Sequence, residues 1–404
     1  MTKNARLPKT IGYFSTFVAL GMALSVLGPT LPALAEQTGA ELGEISFLFT
    51  ARSLGYIVGS LLGGRLLDRL RGHPVLALSL GVMALALGIV PLLPLLWLLA
   101  LAMLLLGVSE GVVDPGTNAL MLWVHGDRAG PLVNALHFCW GVGAFLGPVV
   151  VAQAIARTGD IRWAYFFCAL VALPVIVWLL CWPSPPRRTA AQAAPGREVD
   201  SRLVVLTSLF FLLYIGAEAG FGGWVSTYSL ELEMADETTA AYLASAFWGA
   251  LTVGRLLAIP IATRVRPSRM VAAGLAGAMA SALLLLLASE RSVAALWAGT
   301  VGLGISLAPV VPTTLALVER RMAVTGPATG WFFAGLGFGG MTIPLLIGQL
   351  FERIGPQAMT WTITVSLVLA TGVFAWLLSY SAGMARSRRG AVTPPDRSAG
   401  ASAR

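Results

Sequence analysis

Two carboxylates, Glu110 and Asp114, fall in the middle of the apolar stretch LAMLLLGVSEGVVDPGTNALM at residues 101–121. A spacing of four sets both on one helical face. A charge at the centre of a membrane helix costs roughly 3 kcal/mol on insertion scales. A face that keeps two must therefore look onto water, polar partners or an ion. A carboxylate in low-dielectric surroundings holds a proton more readily, and two acids one turn apart titrate as a unit. Such groups can take up a cation on one side of a membrane and release it on the other. Glu218, in another apolar stretch, is a third candidate coupling acid, and Arg52 could pair with Glu110 or Glu218. A permanent buried salt bridge is the plainer role for any such pair.

Around these charges lie groups suited to a hydroxyl-rich solute. Asn118, Asn134, His137 and Gln153 can donate and accept hydrogen bonds. Trp140, Trp224, Trp248 and Trp331 could lay flat apolar faces against a sugar ring. The candidate substrate-binding set is Arg52, Asn118, Asn134, His137, Trp140, Trp224 and Trp248. For the tryptophans, packing is the alternative role. Trp97, Trp163, Trp178 and Trp182 suit the aromatic belt at a membrane interface.

The elements that must hold these residues are membrane helices. Of the 404 residues, 57% are hydrophobic and 11% charged, about half the charged share of a soluble protein. Apolar runs long enough to cross the bilayer recur from end to end. Twelve are expected, near 11–33, 44–67, 74–94, 95–121, 131–155, 161–182, 203–230, 239–263, 270–288, 292–317, 326–351 and 357–379. They are too long and continuous for barrel strands, so an all-α membrane protein is expected. The first run follows Lys3, Arg6 and Lys9 but exceeds a signal-peptide core, and it reads as a working helix.

Arginines set the orientation. With the N-terminus in the cytoplasm, inside loops and tails hold 21 of the 27 Lys and Arg residues. Arg157, Arg162, Arg291 and Arg353 fall outside, and Arg52 and Arg255 within spans. This asymmetry places both termini in the cytoplasm of a multi-pass protein of the cell membrane. The net charge of +8 then answers anionic lipid rather than nucleic acid. Cys139, Cys168 and Cys181 lie in apolar runs without metal-ligand spacing, so neither a disulfide nor a metal site is expected.

The chain repeats itself. Gly107, Ser109, Pro115 and Thr117 match Gly304, Ser306, Pro312 and Thr314, and Pro148, Gln153, Arg157 and Gly159 match Pro344, Gln349, Arg353 and Gly355. Gly21, Gly28, Gly59 and Arg69 match Gly216, Gly223, Gly254 and Arg264. The expected division is an N-terminal half at 1–182, a cytoplasmic linker at 183–202, a C-terminal half at 203–380 and a disordered tail at 381–404. Six helices per half make the repeats parallel, and transporters built so bind their cargo between the halves near the midplane. Spans 3, 6, 9 and 12 carry no interior charge and are expected to be the lipid-facing scaffold.

Twelve helices in two parallel halves resemble the major facilitator superfamily. The loop Gly64-Arg-Leu-Leu-Asp68-Arg69-Leu-Arg-Gly72-His73 resembles that superfamily's G-x-x-x-D-R-x-G-R-K/R loop, with one extra residue and His73 in place of a basic one. The resemblance implies a gating role for Asp68 and Arg69, with an Asp68 salt bridge holding one state. Within the superfamily, FTARSLGYIVGSLLGGRLLDR, EGVVDPGTN, LVNALHFCWGVGAFLGP and IGAEAGFGGWVSTY resemble the fucose/galactose/glucose proton symporters and their sodium-dependent glucose relatives. The fucose branch has E-x-x-x-N-P on helix 4, and the resemblance makes Glu110 the proton-coupling acid. This chain has Asp114 where that branch has Asn, and no acid between Ile11 and Ala35, where that branch carries an aspartate.

The expected function is proton-coupled uptake of a sugar or similar polar solute by alternating access. No cofactor is needed beyond the proton gradient, although Glu110 and Asp114 could also supply oxygens to sodium. The partners are a small polar solute and the bilayer, and the chain is expected to act as a monomer. Proton-coupled efflux of amphipathic compounds on the same fold is the alternative. Gly107-Val-Ser109-Glu-Gly111 also fits G-x-S-x-G, the serine-hydrolase elbow, but without the strand-to-helix turn that chemistry needs. No enzyme is expected.

Overall fold

The computed structural model describes residues 6–187, 199–322 and 326–390, and among these it is helical with no strand. Twelve helices cross. In the first half they are α1 (Arg6–Ser25 and Leu27–Thr38), α2 (Phe47–Arg69), α3 (Gly72–Ile89), α4 (Leu96–His125), α5 (Gly130–Thr158) and α6 (Arg162–Leu180). In the second half they are α7 (Ser201–Glu231), α8 (Glu237–Ala262), α9 (Pro267–Ala288), α10 (Val293–Leu307 and Val310–Glu319), α11 (Gly326–Ile354) and α12 (Gln357–Gly390). Eleven of these are long and apolar enough to span a membrane, and the bent pair that forms α1 makes the twelfth. The last helix continues ten residues past the boundary expected at 380. Within the expected linker, residues 188–198 lie outside the described residues, as do 391–404 of the expected tail.

Two helices differ from the continuous spans read from sequence. The two segments of α1 meet at 45°. Pro29 has no N–H to give the Ser25 carbonyl, and beside it the Ser25 hydroxyl donates to the Gly21 carbonyl at 3.0 Å. α10 breaks between Leu307 and Val310, where Pro309 removes another donor. Pro115, Pro148 and Pro344 sit within unbroken helices, so proline alone does not decide a break. The repeat survives in detail: the matched Gly159 and Gly355 end α5 and α11 in the left-handed region, at φ of 66° and 73°.

Packing follows small residues. α2 and α4 run parallel and lie so close that a Cβ on Gly55, Gly59, Gly107 or Gly111 would enter the carbonyl of Leu104, Val108, Arg52 or Tyr56 respectively. This is backbone contact of the kind small residues permit in lipid, where no hydrophobic drive exists between helices. α3, α6, α9 and α12 pack within their own halves and turn residues such as Leu78, Leu170, Leu287 and Trp361 outward.

The halves meet along α5 with α8, α2 with α11, and the second segment of α1 with α7. These contacts gather at the end remote from the described termini. The Gly43 N–H donates to Glu352 Oε1 at 2.6 Å, and Gln349 Nε2 donates to the Gly43 carbonyl at 2.7 Å. Ser245 donates to the Phe145 carbonyl at 2.9 Å, and Gln153 donates to the Tyr242 hydroxyl. Toward the terminal end, Asn134 and His137 of α5 and Asp68 and Arg69 of α2 are exposed, and among the described residues no ion pair crosses the seam. The molecule is sealed at the far end and open at the terminal end.

Candidate functional site

The parallel run of α2 beside α4 builds two rungs. Arg52 grips Glu110 through one guanidinium edge, with Nε to Oε2 at 2.9 Å and Nη2 on Oε1. One turn on, the Tyr56 hydroxyl donates to Asp114 Oδ2 at 2.7 Å. The spacing of four between the acids is thus mirrored by a spacing of four between Arg52 and Tyr56. Arg52 also reaches α1. Its Nη1 and Nη2 donate to the carbonyls of Leu24 and Ala23 at 3.0 and 2.8 Å. These belong to the last turn of the first segment, where a helix end leaves carbonyls without partners. The pair therefore satisfies the break in α1 in the middle of the membrane, where water cannot.

Three acids meet three environments. Glu110 is buried and holds a bidentate cation. Asp114 is half-buried, takes hydrogen bonds from Tyr56 and from Asn118 Nδ2 at 3.1 Å, and among the described residues forms no ion pair. Glu218 is buried on α7, with the Tyr214 hydroxyl 2.6 Å from Oε2 and Arg255 Nη2 3.9 Å from Oε1. Arg255, on α8, lies across the seam over the Trp140 ring at 5.4 Å.

His137 is exposed, meets Phe17 edge-on at 5.5 Å, and feels the charges of Asp114 and Arg255. An exposed side chain within reach of α4 and α8 lines an internal space rather than lipid. Asn134, one turn nearer the terminal end, is exposed as well. Asn118 points its amide back at Asp114 within its own helix. Trp140 is half-buried and meets Trp248 edge-on at 5.7 Å.

Two expected ligands lie elsewhere. Trp224 has no exposed surface, donates its indole N–H to the Pro344 carbonyl at 3.0 Å and stacks on Phe351. Trp248 is 4% exposed and packs between Phe247 and Gly222. In this state both pack among neighbouring helices, Trp224 against Phe49 of α2 and Phe351 of α11, and Trp248 against Gly222 of α7. Trp331 is exposed, and Gln153 belongs to the far-end closure. Among the described residues Asp68 forms no salt bridge, as fits a terminal end that stands open. His73 is buried and joins the Tyr13 hydroxyl to the Trp182 carbonyl, both at 2.8 Å, which ties α1 to the start of the linker. A groove of about 520 Å³ beside it, lined by Leu70, Arg71, Trp123, Ser184 and Arg187, is apart from the acids.

Sequence reasoning passed over Tyr56, Tyr214, Glu352 and Tyr242. The two tyrosines Tyr56 and Tyr214 carried a signal: each lies four residues from a charged group on its own helix, Tyr56 after Arg52 and Tyr214 before Glu218. The G-x-S-x-G pattern lies inside continuous α4, where Ser109 donates to the Leu105 carbonyl at 2.9 Å and its two glycines seat α2. Its role is packing.

Known proteins agree with this architecture. The Major Facilitator Superfamily profile matches residues 13–344. The chain is 32% identical to sodium-dependent glucose transporter 1 of Danio rerio, over 90% of this chain and 67% of that protein. It is 28% identical to the Homo sapiens protein of the same name, over 89% and 76%. The resemblance to sodium-dependent glucose transporters is borne out. Among solved structures, a bacterial homologue of the human lysosomal transporter Spinster, in an inward-facing and occupied conformation, superposes at a TM-score of 0.78 with 12% identity, over 94% of this chain and 98% of that one. The nucleoside transporter NupG (D323A mutant) superposes at 0.75 with 15% identity, over 92% and 99%. With two parallel six-helix halves, a polar seam sealed at one end and this profile match across most of its length, the chain belongs to the major facilitator superfamily of membrane transporters.

Proposed function

We propose that this transporter takes up a sugar or similar polyol across the cell membrane by alternating access, coupled to the downhill entry of a proton or sodium ion. The observation that carries this reading is the polar lining of the open seam. His137 is exposed within electrostatic reach of Asp114, and Asn134 is exposed one turn along α5, a polar set that suits hydroxyls better than an amphipathic drug. The names of the glucose-transporting relatives support the same cargo. The arginine asymmetry puts both termini in the cytoplasm, so the state described here faces inward. The chain works as a monomer in this reading.

Coupling falls to the acids. Glu110 is held by a cation it shares with the α1 break, whereas Asp114 and Glu218 have room to exchange one. Labelled D-glucose uptake into proteoliposomes, under an imposed inward proton gradient and separately a sodium gradient, tests the proposal. Accumulation competed by other hexoses is expected. If no hexose moves under either gradient, the sugar assignment fails.

A further inference from the structure

The Tyr214 hydroxyl has a hydrogen-bond count that its surroundings cannot meet with an ionised neighbour. It lies 2.6 Å from Glu218 Oε2 and 2.6 Å from the Leu307 carbonyl oxygen. A hydroxyl carries one proton and makes one full donation. The carbonyl can only accept, so Tyr214 donates to Leu307, at the break in α10. The second short contact then needs a proton from the other side, and the Glu218 carboxyl is the group placed to supply it.

We propose that Glu218 is the acid that carries the transported proton, and that Arg255, shared between Glu218 and Trp140, drives it off. This rests on the reading of the chain as a cation-coupled sugar transporter and narrows the cation to a proton. The two anchors of Arg255 belong to different halves: Glu218 to the second and Trp140 to the first. At 3.9 Å from Glu218 Oε1 the guanidinium is beyond hydrogen-bond distance. Its charge lies instead over the Trp140 ring, a cation–π contact. Rocking of the halves moves Trp140 relative to α8. In the inward-open state described here the release step is a shift of Arg255 from Trp140 onto Glu218: the charge-assisted bond favours the carboxylate, and the proton passes to water at the open end before the halves rock back. The empty carrier then returns with Glu218 and Arg255 as a neutral ion pair.

The surroundings leave this exchange isolated. Arg255 from α8 and Tyr214 from α7 are the ionisable groups that act on Glu218, and the described parts of α1, α11 and α12 that pack on α7 place no charged side chain beside it. His137 lies within electrostatic reach of both Asp114 and Arg255 at the open seam. Glu110 is set aside as the cycling acid because protonating it would leave the buried Arg52 charge without its counterion.

The test uses the full-length protein in proteoliposomes with labelled D-glucose, and infrared pH titration of the protonated-carboxyl band in the same preparation. Glu218→Gln keeps the Tyr214 contact, since the amide can donate in the place of the acid proton. Under an inward proton gradient the wild type is expected to accumulate sugar. A ten-fold gradient at one-to-one stoichiometry allows at most about ten-fold accumulation. E218Q is expected to equilibrate sugar without accumulating it, and to lack one pH-dependent carboxyl band. Trp140→Leu frees Arg255 for Glu218 and is expected to move the pH profile of accumulation to lower pH. Accumulation by E218Q equal to wild type, uptake that follows sodium and ignores pH, or an unaltered band pattern would overturn the assignment. If the wild type moves no glucose, the sugar reading fails while the infrared titration still decides the proton site: a band lost in E218Q supports it, and an unchanged titration refutes it.

Discussion

Glu110→Gln separates a structural ion pair from a coupling acid. Glu110 is 2% and Arg52 8% exposed, and Arg52 Nε lies 2.9 Å from Glu110 Oε2. Removing one partner of a buried pair costs about 3–5 kcal/mol, because the other charge stays buried without compensation. Glutamine retains one acceptor oxygen, and Arg52 keeps its bonds to Ala23 and Leu24, so a loss near the lower limit, about 3 kcal/mol, is expected. The assay is reversible unfolding in mixed dodecyl maltoside and SDS micelles, run as a double-mutant cycle with Arg52→Gln. The double variant removes both charges together, and the shorter amide introduced by R52Q can still donate one hydrogen bond toward α1. It should therefore be more stable than E110Q alone, with a coupling energy of about 2 kcal/mol. In transport, E110Q should lower exchange and accumulation together, in proportion to folded protein. An E110Q protein within about 0.5 kcal/mol of wild type, or one that keeps exchange and loses only accumulation, would refute this account and return the coupling role to Glu110.

Other perturbations bear on the rest of the architecture. Gly111→Ala inserts a methyl group against the Tyr56 carbonyl and should cost about 1–3 kcal/mol by overpacking, read as a fall in the same unfolding midpoint. Glu352→Ala removes a charged acceptor from the Gly43 N–H. A loss of about 1.5–3 kcal/mol should shift the balance of states at least ten-fold toward opening at the far end, seen as greater labelling of a cysteine in place of the buried Ser46, which faces Gly348 across the seam; unchanged labelling would remove Glu352 from the closure. Asp236 caps α8 by accepting from the Thr239 N–H at 2.8 Å, and the Thr239 hydroxyl and N–H hold its carboxyl below the usual range. A lowered folded value means the cap's contribution is present above the unfolded value and is lost as pH falls through the folded one. Asp236→Ala should cost about 1 kcal/mol at neutral pH, and the difference from wild type should vanish in acid.

The transmembrane order, the parallel repeat and the isolation of α3, α6, α9 and α12 were legible because each rests on local rules: hydropathy over a bilayer's length, loop arginines, and a near-constant spacing of matched Gly and Pro. The acids were legible for the same reason, since a charge in an apolar run needs no partner to be noticed. The repeat even marked them as acquired by one half, because Glu110 and Asp114 align with Leu307 and Val311.

What each acid does emerges in three dimensions. Arg52 and Glu110 are 58 residues apart, and their purpose becomes visible beside the break in α1, which no span boundary announced. Trp140 and Trp224 looked alike along the chain. One shares Arg255 at the seam, and the other is sealed between Phe49 and Phe351. The number of crossing helices, their repeat and the charges they carry can be read along the chain, because the bilayer imposes those requirements one helix at a time. Which charges neutralise one another, and which end of the seam is open, cannot be read that way. Both depend on distances between helices far apart in sequence, within one half for the ion pairs and between the halves for the seam.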